Sequence, residues 1–220
     1  MDQPQQITLY PALPLLAVIA GNITPIFGVL LYDWSLFDIF YLYWAENILI
    51  GGVTAIRMLM SGASWGIVML IGSLFSVAFF TVHYGMFCFG HGMIIFELFY
   101  KGPVDIGKNE EYLLAYAFNN PQNGFFLALL GVTVVVITEG LKKIIQDRRE
   151  ARMPKAIMFS PYGRILVLHI TIIFGGLAAQ SLGAPIWALA LLIVLKTGYD
   201  VLVVLDIKPI RFDKDKKEST

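Results

Sequence analysis

Apolar residues run through this chain in long blocks with short polar breaks, and the blocks are too uniform to be one-sided helices of a water-soluble protein. About 20 apolar residues cross a hydrocarbon core of roughly 30 Å. Six windows approach or exceed that length, at about 13–31, 37–60, 65–100, 125–140, 162–182 and 186–207. The first contains Asn22 and Pro25, where a missing backbone donor predicts a kink. Ser35 is placed to cap the second, with Asp38 three residues on at the positive helix end. Ser61-Gly62-Ala63-Ser64 reads as the turn into the third block.

That block, Trp65–Tyr100, is roughly 50 Å long if helical at 1.5 Å per residue. It predicts either one long helix, tilted or bent near Gly85, Gly90 and Gly92, or a broken pair. Lys101–Asn123 follows as a polar loop with a short interfacial helix over Glu110–Phe118. The 125–140 block continues into a basic helical extension, Leu141–Arg149. Ser160-Pro161 starts the fifth span, and Gly183-Ala184-Pro185 turns into the sixth. The expected fold is all-α: a polytopic bundle of six transmembrane spans forming one domain over 1–212, with a charged, disordered tail at 213–220.

Composition strengthens this picture. Of 220 residues, 57% are hydrophobic and 15% charged, whereas soluble domains carry roughly 25% charge; the mean hydropathy is +0.71. Lipid is therefore the expected solvent, and the cell membrane the expected location. Sixteen basic residues balance sixteen acidic ones, which removes the basic excess expected of a nucleic-acid binder. Cys88 is the sole cysteine and cannot form an internal disulfide. The N-terminal residues lack the basic start of a signal peptide, so the first block is expected to be a retained span.

Charge position sets the orientation, because Lys and Arg collect on the cytoplasmic side. With six spans, Arg57, the seven basic residues from Lys142 to Arg164 and the five from Lys208 to Lys217 share one side. Only Lys101 and Lys108 fall on the other. Both termini are then cytoplasmic.

Ionisable groups inside apolar spans are rare and point to function. Counting 1.5 Å per residue, Glu46 lies roughly 14 Å, Lys196 roughly 15 Å and His169 roughly 20 Å from the outer side. His83 falls near the same level, and His91 nearer the outer surface. His83 and His91 are separated by roughly 12 Å of helical rise, too far to share one ion on a straight helix.

Imidazole and carboxylate together suit a transition metal such as zinc, iron or copper, which makes Glu46, His83 and His169 candidate ligands and His91 a second-site or entry group. The plain alternative is a carboxylate–imidazole hydrogen bond between helices. Haem on His83 and His169 is a further alternative, with Gly85, Gly90, Gly175 and Gly176 making room. Lys196 and Asp200 either neutralise each other four residues apart, or pair with Glu46 and Arg164 respectively and tie three spans together. Asn47, Arg164, Lys196 and Asp200 are the expected electrostatic partners of the site. Arg57, Arg164 and Glu139 are expected to snorkel toward the cytoplasmic interface, and Cys88 to act as a small packing residue.

The segments Trp44-Ala45-Glu46-Asn47, His83-Tyr84-Gly85 with His91-Gly92, Pro161-Tyr162-Gly163-Arg164 with His169, and Lys196-Thr197-Gly198-Tyr199-Asp200 resemble an uncharacterised prokaryotic multi-pass membrane family, a domain of unknown function. The resemblance covers about Asp33–Asp206 and implies no reaction. Three functional expectations stand side by side. They are a metal-dependent membrane enzyme or redox protein, a proton-coupled transporter or channel using Glu46, His83, His169, Lys196 and Asp200 with a small molecule or ion as substrate, and a structural membrane subunit.

Overall fold

A computed structural model describes residues 25–102, 109–119, 124–182 and 185–204. All regular structure among these residues is helical. A helical segment α1 (25–32) leads to α2 (Leu36–Ser64), α3 (Ile67–Phe99), α4 (Asn109–Asn119), α5 (Phe125–Arg149), α6 (Pro154–Met158), α7 (Tyr162–Leu182) and α8 (Pro185–Val204). Four stretches are long and apolar enough to cross a membrane: Leu36–Ser64, Ile67–Phe99, Phe125–Arg149 and Pro154–Phe174. The protein is a helical membrane protein. Most of the expected first span, the end of the sixth and the 213–220 tail lie outside the described residues.

The cap of α2 is a reciprocal box. The Ser35 hydroxyl accepts from the Asp38 backbone N–H at 3.2 Å, and the Asp38 carboxylate accepts from the Ser35 N–H at 2.7 Å, which satisfies two donors that a helix start leaves open. α2 runs four residues beyond the expected boundary at Met60, through the predicted turn. The reversal falls instead at Gly66, whose φ of +101° is available to glycine alone at little cost.

The Trp65–Tyr100 block resolves as one continuous helix of 33 residues. Gly85 and Gly90 meet open space and cause no break. Gly92 has a different role: a Cβ there would lie 2.7 Å from the Trp44 ring, so its absence lets α3 close on α2. Across the same contact the Trp44 indole N–H donates to the Cys88 carbonyl at 2.6 Å.

Two cores follow. At the Trp34 end, Phe37, Phe40, Tyr41, Trp44, Phe96 and Phe125 interlock with Leu113 of α4, and the Phe40 and Phe99 rings stack at 4.6 Å. At the opposite end Met58, Phe80, Tyr84, Cys88, Ile157 and Ile165 form a second core. Cys88 thus packs as expected, as a buried free thiol. The aromatic run 37–44 is core, whereas Phe79, Phe87 and Phe89 on α3 are exposed, as befits a face toward lipid.

The expected snorkelling of Arg57 does not occur. The side chain is 5% exposed and bidentate to Asp147, with Nε to Oδ2 at 2.8 Å and Nη2 to Oδ1 at 3.1 Å. The short α6 folds back beneath it, and Arg57 Nη1 donates to the Ser160 hydroxyl at 3.4 Å. Only Glu139 keeps to the surface, paired with Lys142 at 2.7 Å.

Candidate functional site

Three helices contribute to one polar site, each by the same spacing. Tyr43, Glu46 and Asn47 stand at i, i+3 and i+4 on α2; Arg164, Val167 and Leu168 do so on α7; Lys196, Tyr199 and Asp200 do so on α8. Positions so spaced share one helix face, and these nine residues line a single cavity. Its free volume is about 20 Å³, room for about one water molecule. Gly163 has only hydrogen where a Cβ would strike the Tyr199 hydroxyl, which lets α7 approach α8.

The four charges close into a ring. Arg164 Nη1 lies 3.1 Å from Glu46 Oε1 and Arg164 Nη2 lies 3.1 Å from Asp200 Oδ1. Lys196 Nζ lies 3.2 Å from Glu46 Oε2 and 3.2 Å from Asp200 Oδ2. Each carboxylate oxygen faces one cation, and the ring is neutral. Both alternatives drawn from the sequence therefore hold at once: Lys196 neutralises Asp200 along α8 and also binds Glu46, while Asp200 binds Arg164. Arg164 does not snorkel, because its planar fork spans two carboxylates from different helices. The Lys196 ammonium also sits 4.7 Å above the Tyr43 ring. Burying such pairs costs desolvation energy that only complete pairing offsets.

Two polar atoms in this lining stand apart. The Tyr43 hydroxyl and Asn47 Oδ1 are buried and have no hydrogen-bond partner among the described residues. Asn47 Nδ2 donates to the Tyr43 carbonyl at 2.8 Å, so its carbonyl end is turned away from the helix backbone.

A second polar feature links α3 and α7. His91 Nε2 lies 2.7 Å from His169 Nδ1, and His91 Nδ1 lies 2.6 Å from the Phe87 carbonyl. A carbonyl only accepts, so Nδ1 of His91 carries a proton. Neutral His91 then accepts at Nε2 from the Nδ1–H of His169; cationic His91 donates in the reverse sense.

His83 is not in this group. It stacks on Phe79 with ring centroids 5.5 Å apart, and packs against Phe87 and Tyr162. The shared set expected from Glu46, His83 and His169 is thus divided: Glu46 is in the ion-pair ring, His169 is bonded to His91, and His83 lies among aromatic rings. Helix register explains the division. Tyr162 packs beside His83, and seven residues further along α7 His169 meets His91, eight residues further along α3. The two rises match at 1.5 Å per residue. Counting from the ends of apolar blocks set His83 level with His169, whereas the contact sets His91 level with it; α3 is longer than a bilayer core is thick, so its block ends do not fix its axial position. Haem ligation by His83 and His169 finds no facing pair here either. Among the described residues no three His, Cys, Asp or Glu side chains are placed to hold a metal ion.

Sequence reasoning named all four ring members but left out Tyr43 and Tyr199. The repeated i, i+3, i+4 spacing around Glu46, Arg164 and Lys196 is the signal that points to them.

Neither the curated proteins nor the solved structures contain a match to the chain. A family model described as a family of unknown function, DUF6498, matches residues 6–218, and the chain belongs to that family.

Proposed function

We propose that the protein is a proton-coupled transporter of the cell membrane, with the Glu46–Arg164–Asp200–Lys196 ring as its coupling centre. The observation that carries this reading is a closed, neutral charge ring around a cavity that also presents the unpartnered Tyr43 hydroxyl and Asn47 carbonyl. Intramembrane ionisable groups mark proton and substrate pathways. Each ring member holds two partners, so adding or removing one proton breaks two contacts and loosens α2, α7 and α8 together. His169, further along α7 than Arg164, is hydrogen-bonded to His91 of α3.

The reading takes the chain as one domain over 1–212 with six spans and both termini cytoplasmic. The distribution of Lys and Arg supports that topology.

Proteoliposomes enclosing a pH-sensitive dye test the function. Gradients of a panel of solutes are imposed in turn: alkali chlorides, small carboxylates and amino acids. At least one solute gradient is expected to move protons, and Glu46→Gln is expected to abolish that movement while the protein stays folded. A folded, reconstituted protein that moves protons with no solute in the panel would overturn the reading.

A further inference from the structure

One side of α5 is a continuous apolar stripe. Leu127, Leu130, Val134, Ile137, Leu141 and Ile145 are all exposed, and steps of three or four residues set them on one helix face. From Leu127 to Ile145 the rise is about 27 Å, close to the roughly 30 Å of a bilayer's hydrocarbon core. Three and four residues beyond Ile145 stand Arg148 and Arg149, both exposed. A lipid-facing stripe of this length places the two guanidinium groups at the level of the headgroups. We propose that this end of α5, with the turn into α6, binds the headgroup of an anionic phospholipid, Arg148 and Arg149 holding its phosphate while the acyl chains lie along the stripe.

The charges at this corner do not balance. Residues 141–160 hold six basic side chains and two acidic ones. Asp147, beside Arg148 in sequence, is turned inward onto Arg57 and is 4% exposed, so it is withdrawn from the surface. Glu150 is held by Arg152 at 2.6 Å, and Lys142 by Glu139 at 2.7 Å. Arg148, Arg149 and Lys155 are exposed and have no acidic partner among the described residues. The backbone turns back here, the Arg152 N–H donating to the Asp147 carbonyl at 2.9 Å, which keeps the basic residues on both sides of the turn at one end of the bundle.

The chemistry selects the occupant. A guanidinium fork matches a phosphate with two parallel hydrogen bonds. A zwitterionic headgroup brings its own cation and leaves the positive excess in place; an anionic one neutralises it. Basic residues directly beyond a transmembrane helix are a recurring partner of such lipids. The stripe decides between a lipid and a soluble anion, because only a lipid meets the arginines and covers the apolar residues together. The two arginines also offset the negative end of the α5 dipole. That effect needs no lipid, so only a lipid-dependent signal counts.

The full chain is purified in a nonionic detergent, and thermal unfolding is followed as dioleoylphosphatidylglycerol or dioleoylphosphatidylcholine is added at equal mole fraction. The anionic lipid is expected to raise Tm along a saturating curve, as a ligand of the folded state does, and the zwitterionic lipid to raise it far less. In the Arg148→Gln/Arg149→Gln double variant the apparent affinity for the anionic lipid should weaken about thirtyfold, at about fivefold for each basic residue near an anionic headgroup. Lys142→Gln removes an exposed charge that Glu139 already holds and should leave that affinity within about twofold. Glycerol phosphate, an anion without acyl chains, should not stabilise the protein at millimolar concentration. Equal shifts from the two lipids, an anionic-lipid effect unchanged in the double variant, an equal loss in Lys142→Gln, or stabilisation by glycerol phosphate would each overturn the inference. If circular dichroism shows the double variant unfolded, native mass spectrometry of the unmodified chain with both lipids in equal mixture decides: preferential retention of the anionic lipid supports the site, and equal retention overturns it. No gradient or solute enters these measurements, so their outcome is independent of the transport reading.

Discussion

His91 and His169 meet nitrogen to nitrogen at 2.7 Å and tie α3 to α7 by a hydrogen bond. Nothing in the local sequence of either helix dictates this. A double-mutant cycle with His91→Phe and His169→Phe should give a coupling of about 0.6 kcal/mol, the usual worth of an interhelical hydrogen bond in a membrane protein. Unfolding in mixed micelles measures it. A coupling indistinguishable from zero would mean that the two rings merely touch.

Arg57 and Asp147 form the most completely buried ion pair described, 5% and 4% exposed. Removing one partner strands the other, so Arg57→Ala should cost about 3–5 kcal/mol. Replacing both by leucine should recover most of that loss. Thermal unfolding in detergent compares the three variants, and a double variant no better than the single ones would contradict the pairing.

Arg164 binds Glu46 and Asp200 through separate nitrogens of one fork. A lysine has one nitrogen on a shorter reach. Arg164→Lys should therefore behave as a strong substitution, abolishing solute-driven proton movement in liposomes while the helix content by circular dichroism is retained. Unchanged transport would show that the ring does not need both contacts.

Two glycines on α3 separate packing from permissiveness. Gly92→Ala would force a Cβ to 2.7 Å from the Trp44 ring, and overpacking of this sort costs about 1–3 kcal/mol. Gly85→Ala meets nothing within 4 Å and should stabilise the helix by up to about 1 kcal/mol. Opposite shifts in Tm are expected from a change of one methyl group each.

The Tyr116 hydroxyl donates to Asp38 Oδ1 at 2.6 Å and so ties α4 to the start of α2. Burial first, then the neighbouring Asp38 carboxylate, push the Tyr116 phenol above its ordinary value of about 10. A raised value means this contribution is fully present below the ordinary phenol range and is lost as pH rises beyond it. Tyr116→Phe should cost about 1 kcal/mol at neutral pH, and the cost should shrink under strongly alkaline conditions. Unfolding at two pH values checks the sign.

Helix content and membrane character were legible from the residues because they depend on local quantities, apolar run length and the Ser35–Asp38 cap, whereas the glycines of Ser61–Ser64 and of α3 broke no helix. Helix boundaries such as Ser160-Pro161 before α7 were readable for the same reason. Glu46, Arg164, Lys196 and Asp200 stood out because a charge in an apolar run is visible one residue at a time. That Lys196 binds Glu46 and Asp200 together, that Arg164 turns inward, and that His169 takes His91 rather than His83 required the tertiary structure. Those outcomes depend on the relative rotation and sliding of α2, α3, α7 and α8. A few ångströms of axial offset exchange one histidine for another, and a sequence records the spacing within each helix but not the offset between two.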